Sequence, residues 1–424
     1  MTRFESASAA VEWINGARWK GEKNGLENTR ALLKALGNPE KNMGRIVHVA
    51  GTNGKGSTCA MVERALRECG YTVGLFTSPY LCAFNERIRL NGKPIEDDAL
   101  IDIASRVREA ATEIAKKGIL TTTFEILTAM ACLYYAEMKA DYSVMEVGMG
   151  GRLDSTNVLD SSVCAIAAIG LDHMSKLGNT LPEIAGEKAG IMKAGVPAVV
   201  LTQNESVMRV FREHAKNVSA PLFETGAVKV LSEWENGFEI ELNLPSGGRV
   251  RQKVPLAGGH QASNAALALN VLDRLGVDME KARRGIEKAL WPGRLEWVKN
   301  VLIDGAHNPQ GANALREYIE KYLAGRFIVL LTGMMQDKQV AACAEIFKSF
   351  ADSVVTTNVN WPRAVPAKEL AGYYENAQAV EGVENALNQA IALAGDTGVV
   401  VSAGSIYLAG DVRNLLLPED GGCL

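Results

Sequence analysis

Apolar positions along the chain fall into two alternating rhythms. Short runs at Arg45–Ala50, Thr72–Thr77, Tyr142–Val147, Val163–Ile169 and Ala198–Thr202 are apolar almost without interruption. Such runs predict strands of a parallel sheet covered on both faces. Between them, apolar residues recur at helical spacing. After the first run Cys59, Val62, Leu66 and Cys69 stand at i, i+3, i+7 and i+10, one face of a 3.6-residue period. Ile101–Lys117 is amphipathic in the same way, whereas Phe124–Met138 is apolar all round and therefore expected inside. Ala9–Ile14 and Leu26–Leu36 predict two lead-in helices, split by the polar stretch Lys20–Gly25. Strands alternating with helices predict a doubly wound, mainly parallel α/β sheet of the P-loop type. Its ligands should gather outside the carboxyl ends of the strands.

Residues 228–254 change rhythm. Phe238, Ile240, Leu242 and Leu244 alternate with polar residues, Pro245-Ser246-Gly247-Gly248 turns, and Val250–Val254 returns. This predicts an antiparallel hairpin at an edge or flap. Helices are expected at His260–Leu275 and Glu280–Leu290, after which Trp291-Pro292-Gly293-Arg294 punctuates the chain. At 424 residues one hydrophobic core is not enough. The boundary is placed here, giving domains 1–295 and 296–424. The second reads as a smaller, Rossmann-like α/β domain with strands at Val301–Asp304, Phe327–Thr332, Ser353–Thr357 and Val399–Ala403.

Charge and cysteine usage narrow the class. A net charge of −4 gives no footprint for nucleic acid, and no apolar run is long enough for a membrane span. The amino terminus lacks the apolar core of a signal peptide. Seven cysteines, Cys423 among them, include no C-x-x-C pair and read as reduced thiols. A cytoplasmic protein is expected.

The chemistry starts where the first strand ends. Gly51-Thr52-Asn53-Gly54-Lys55-Gly56-Ser57 joins a strand to a helix. Glycines let backbone N–H groups turn inward, a helix start adds positive potential, and a lysine supplies a point charge: together, a phosphate cradle. The Walker pattern is nonetheless off register, with Gly56 in the hydroxyl position and Ser57 one place late. Ser78, Glu146 and His173 fall at neighbouring strand ends. Glu146, flanked by Val144, Met145 and Val147, is costly to bury without a cation, so a metal is expected there. Lys188 lies among small residues, where a helix-surface lysine is the plain alternative. Asp304 and His307 sit in a strand-to-helix turn of the second domain. There Asp304 could cap the helix or hold a ribose hydroxyl.

Taken together, these blocks resemble the folate branch of the Mur ligase family. The resemblance rests on Gly51–Ser57, Thr77-Ser78-Pro79-Tyr80-Leu81, Asn85-Glu86-Arg87-Ile88, Glu146–Asp154, Leu171-Asp172-His173 and Glu187–Ile191. It continues through Gly259–Asn264, Pro292-Gly293-Arg294 and Asp304–Asn308, and so spans nearly the whole chain. It implies an ATP-dependent ligase that joins L-glutamate to a pteroate or folate carboxylate through an acyl phosphate. Under it, Gly51, Thr52, Asn53, Gly54, Lys55, Gly56 and Ser57 bind ATP phosphates, and Asn264, Arg294, Asp304 and His307 contact the nucleotide. Ser78, Glu146 and His173 hold Mg²⁺, and a monovalent cation joins the expected cofactors. Lys188 matches a lysine that the family carbamylates, and Lys55, Lys188 and His173 are the expected catalytic residues. Tyr80, Arg87, Phe124, Arg152 and Asp154 are expected at the pteroate or folate. The family usually shows His where this chain has Tyr80. A monomer acting on small molecules is implied, with no nucleic-acid or membrane partner.

Two other readings compete. Muramyl-type ligases share the ATP chemistry but carry a nucleotide-sugar domain before the phosphate loop, and only 44 residues precede Arg45 here. A P-loop switch protein would need a guanine-reading Asn-Lys-x-Asp segment, and the chain has none.

Overall fold

The computed structural model describes residues 3–17 and 25–418. Cys423 and most of Lys20–Gly25 lie outside the described residues. The first sheet has eight strands: β1 Arg45–Ala50, β2 Val73–Phe76, β3 Ile88–Leu90, β4 Lys93–Pro94, β5 Tyr142–Glu146, β6 Val163–Ile166, β7 Ala198–Val200 and β8 Leu222–Glu224. Their order is β4-β3-β2-β5-β1-β6-β7-β8. All neighbours from β2 to β8 run parallel, and β3 and β4 add an antiparallel margin. Apolar runs without alternation are explained by cover on both sides. Val47, Val49 and Val144 pack into one core, while Ile46 and Met145 point into another. Each such burial contributes about 1.5–3 kcal/mol. The all-apolar helix forms as Thr123–Glu137, with Thr122 and Glu125 closing a capping box at its start.

The hairpin is not an edge of the first sheet. Lys229–Trp234, Gly237–Asn243 and Arg249–Val254 form a separate antiparallel sheet of three strands. Phe238, Ile240 and Leu242 share a core with Ala262, Ala265 and Leu269 of the helix His260–Leu275. The apolar face of the hairpin found that helix instead of the strand row.

A third sheet takes the order Glu296–Val298, Val301–Ile303, Val399–Ala403, Ile328–Thr332, Ser353–Thr356 and Gln378–Ala379. Its first pair is antiparallel and the rest are parallel. Cys59, Cys132, Cys164 and Cys343 are buried thiols, while Cys69 and Cys82 are half-buried. None of the described helices is long and apolar enough to cross a membrane.

Candidate active site

The carboxyl ends of β2, β5, β1 and β6 lie side by side. They face the turn after Ile303 and the start of the helix Ile406–Leu416 across a cavity of about 620 Å³. Both parts of the chain contribute walls, among them Lys55, Glu146, His173, Lys188, Asp304 and His307.

The loop after β1 is shaped for an anion. Gly54 takes a left-handed φ of 86°, and a Cβ there would overlap the Asn264 amide oxygen. The helix Lys55–Glu68 begins at Gly54 with no side chain capping it, unlike helices capped by Ser6, Thr122, Asn204 or Asn308. Its first amides therefore remain open to a ligand, with the positive end of the helix behind them. Thr52 pins the loop: its N–H donates to the Ala168 carbonyl at 2.7 Å, and its hydroxyl exchanges bonds with Gly170. Lys55 Nζ rests on the Thr52 carbonyl at 3.2 Å. The off-register motif has a steric reason. A Cβ on Gly56 would sit 2.7 Å from Cζ2 of Trp291, so the indole occupies the space a Walker threonine needs. Ser57, one position on, accepts a bond from Gln261 Nε2 at 3.2 Å.

Beside the loop stands Glu146, only 5 % exposed. One carboxylate oxygen accepts the Ser78 N–H at 2.9 Å. No lysine or arginine forms an ion pair with it among the described residues. Burial raises its pKa, opposed by the Lys55 ammonium and the Ser78 amide. Asp172 and His173 follow β6. Burial works to raise the Asp172 carboxyl, but His307 and Lys338 outweigh it and hold it well below the usual carboxylate range. Lys338 Nζ reaches its two oxygens at 2.8 and 3.1 Å. Burial, then Lys338, pushes the His173 imidazole down to about 4, so it is neutral at pH 7 with its lone pair available. Lys188 is 4 % exposed on the helix Leu181–Ala189, which rules out a surface lysine. Burial, aided by the Lys55 ammonium, lowers its pKa to about 7.

The second domain closes the cavity through polar groups. Asn53 and Asn308 exchange amide bonds at 3.2 and 3.0 Å, and Asn53 also donates to Gln310 at 2.7 Å. Asp304 is not the helix cap. Asn308 caps the helix Pro309–Tyr322 through the Gly311 N–H, while Asp304 accepts the Leu295 and Ala306 amides at 2.9 and 2.8 Å. It thereby fixes the linker beside Arg294, which also lines the cavity. His307 places Nδ1 2.8 Å from the Gly305 carbonyl and Nε2 3.6 Å from Asp172. Asp172, Gln261, Asn308, Lys338 and Trp291 received no role from the sequence. Asp337-Lys338, a charged pair just past a core strand, was the readable signal among them.

Five expected substrate residues lie outside this cavity's walls. Tyr80 packs beneath the Arg87 guanidinium, 5.0 Å from its ring centre. Arg87 Nε is buried without a hydrogen-bond partner. Phe124 overhangs Gly148, which does line the cavity. Arg152 is turned toward Glu187 and the Gly186 carbonyl. Asp154 accepts the Met149 and Thr156 amides, both at 3.0 Å, and so anchors the turn that follows Glu146.

Two family models match the chain: the Mur ligase middle domain over residues 49–272 and the Mur ligase glutamate ligase domain over residues 293–406. A Bacillus subtilis protein named dihydrofolate synthase/folylpolyglutamate synthase is 37 % identical, across 97 % of this chain and 100 % of its own. Mycobacterium tuberculosis folylpolyglutamate synthase complexed with ADP superposes with a TM-score of 0.90 at 32 % identity, covering 97 % and 99 % of the two chains. Escherichia coli FolC in complex with DHPP and ADP gives 0.87 at 29 % identity, covering 98 % and 99 %.

Proposed function

The chain belongs to the folylpolyglutamate synthase/dihydrofolate synthase branch of the Mur ligases, ATP-dependent enzymes that form amide bonds, and from that premise we propose that it adds L-glutamate both to dihydropteroate and to the γ-carboxylate of reduced folates. One observation carries the reading. An uncapped helix start, a buried unpaired carboxylate and a buried lysine face Asp304 and His307 of the second domain across a single cavity. A monomer is part of the proposal. The division at residues 295 and 296 is part of the proposal, since Asp304 fixes Leu295 where the linker meets the cavity.

A carboxylate is a poor electrophile, so activation precedes amide formation. Lys55 and the loop amides hold the β- and γ-phosphates while the substrate carboxylate oxygen bonds to the γ-phosphorus and ADP departs. The glutamate amine then attacks the acyl carbon, the acyl–oxygen bond breaks, and phosphate leaves. Charge crowds the site throughout, and cations must offset it. Glu146 fits a hard divalent cation: it is buried, held by one amide, and paired with no base among the described residues. Glu146 and Ser78 would hold Mg²⁺, with His173 beside them, and the ion would neutralise the transferring phosphoryl group. Among the described residues no three His, Cys, Asp or Glu side chains cluster, so phosphate oxygens and water would complete its shell.

Lys188 is proposed to carry a carbamate. A neutral amine attacks CO₂ and releases a proton, and a lysine lowered to about 7 presents that amine at neutral pH. Lys188→Ala is expected to lose about 100-fold in activity and to recover part of it with added formate. Carbonyl-¹³C labelling with bicarbonate should show a carbamate signal that fades as pH falls below 7, where the ammonium dominates. An unimpaired Lys188→Ala enzyme, or no such signal, would remove the carbamate. The ligase reading itself is tested by phosphate release. It should require glutamate together with either dihydropteroate or a tetrahydrofolate. Release driven by nucleotide alone, or by a muramyl substrate, would overturn it.

A further inference from the structure

The strap Leu81–Ala83 joins the Ser78 turn to the segment Phe84–Arg87, and it is gripped from three sides. Glu86, a buried carboxylate, accepts the N–H groups of Leu81 at 3.0 Å, Cys82 at 2.9 Å and Ala83 at 2.8 Å, and Arg89 donates to it at 3.3 Å. This fixes the backbone of the strap. The Leu81 side chain faces Gly293 of the linker, where a Cβ would stand 2.9 Å from Cδ1. The Leu81 carbonyl faces Gly410 of the helix Ile406–Leu416, where a Cβ would overlap the carbonyl oxygen. Cys82 Sγ also lies 3.9 Å from the Gly410 carbonyl.

That helix carries cavity wall at its amino end. Ser405, Ile406 and Tyr407 line the cavity opposite Ser78 and Pro79, which precede the strap by a few residues. Its other end is tied to the linker: Arg413 Nε reaches the Glu296 carboxylate at 3.0 and 3.1 Å, and Glu296 accepts the Gly293 N–H at 2.8 Å. The helix can therefore approach the first domain only as closely as residue 410 permits. The opposing atom is main chain held by a buried carboxylate, and it cannot step aside as a side-chain tip would.

We propose that Gly410 is a positioning residue that sets how tightly the second domain closes over the acyl phosphate, acting through the Leu81–Ala83 strap. The proposal rests on the ligase reading above. A side chain at residue 410 shifts the helix start away from Ser78, and the gap admits water. Water then takes the place of the amine: it attacks the acyl carbon, the acyl–oxygen bond breaks, and free carboxylate and inorganic phosphate return with a proton lost to solvent. Misplacement near 1 Å costs about 100-fold in productive transfer. The phosphate loop after β1, held by Ala168 and Gly170, keeps its own contacts.

The test compares the full-length protein with Gly410→Ala, and with Gly410→Ser as a second variant. Each is checked for unfolding temperature, affinity for ADP, amide formed and phosphate released per amide. The expected result is at least a tenfold loss of amide, a smaller loss of ADP affinity, and a phosphate-to-amide ratio rising from one to above two. A ratio of one in both glycine variants, with amide rate unchanged or reduced in step with phosphate, overturns the proposal. If both variants fail to fold, Glu86→Gln alone decides: a ratio of one with that strap loosened overturns it equally. A wild-type protein without glutamate-dependent phosphate release would instead strike the ligase reading, which separates the two failures.

Discussion

Lys55→Ala is expected to abolish ATP-dependent amide formation, with a loss of about 1,000-fold or more in kcat/KM, while the protein unfolds at an unchanged temperature. The stability half follows from what Lys55 touches. It is half-buried, and its Nζ makes one bond, 3.2 Å to a carbonyl three residues back, so its removal strands no buried partner. The activity half follows from position. Lys55 opens a helix whose first amides lack a cap, and its ammonium is the charge most strongly opposing the burial of Glu146. Without it the Glu146 pKa rises further, weakening the carboxylate as a cation ligand at neutral pH. Lys188 moves the same way: its pKa is held down partly by Lys55, so it rises in the variant and the neutral amine becomes scarcer. Both effects compound the missing phosphate contact. Calorimetric titration with ATP and a coupled phosphate assay check this. Amide formation within tenfold of wild type would show that the loop does not grip the transferred phosphate.

Much of this site was legible before the structure, and particular residues show why. Lys55, Ser78, Glu146 and His173 stand where strand runs end, and strand ends are found by composition alone. Parallel order then brings the tips of β2, β5, β1 and β6 together. Hydrophobic rhythm located those strands to within three residues at every end. It missed β3, β4, β8, Glu296–Val298 and Gln378–Ala379, which are two or three residues long and have no unbroken apolar run, and also Lys229–Trp234, whose residues are mostly exposed. It misplaced the hairpin because alternation reports that one face is buried, not what buries it. The contacts that cross between the domains were hidden for another reason. Asn53 and Asn308 are 255 positions apart, and an amide pair leaves no trace in local pattern. Lys338 pairing with Asp172, and the Leu81 carbonyl against Gly410, depend equally on how two separately folded sheets meet. Lys188 shows the limit from the other side: residues 185–190 fit a surface helix as well as a buried one, and only packing decided.

The sharpest conflict between local motif and tertiary packing lies at Gly56, and it yields an outcome opposite to what motif reasoning suggests. Gly56→Thr would place a hydroxyl directly after Gly54-Lys55, as the Walker pattern asks. It is nonetheless expected to lose about 100-fold or more in activity, because a Cβ at residue 56 meets Trp291 at 2.7 Å and the threonine γ atoms add to the overlap. Overpacking of this kind costs about 1–3 kcal/mol, and the strain divides between the loop and the indole. Neither can yield harmlessly. Loop movement turns the uncapped amides away from the phosphates. Indole movement drags Pro292, Gly293 and Arg294, and with them the Leu295 N–H that Asp304 holds at 2.9 Å. The indole is also braced from behind, with the Arg89 guanidinium 5.7 Å from its ring centre. Trp291→Leu should therefore lose less activity than Gly56→Thr, and the double variant should recover nucleotide affinity relative to Gly56→Thr alone. Double-mutant analysis of ATP affinity measures the coupling directly. Additive losses would mean that the glycine is needed for its backbone alone, and that the tryptophan does not fill the space of the missing hydroxyl.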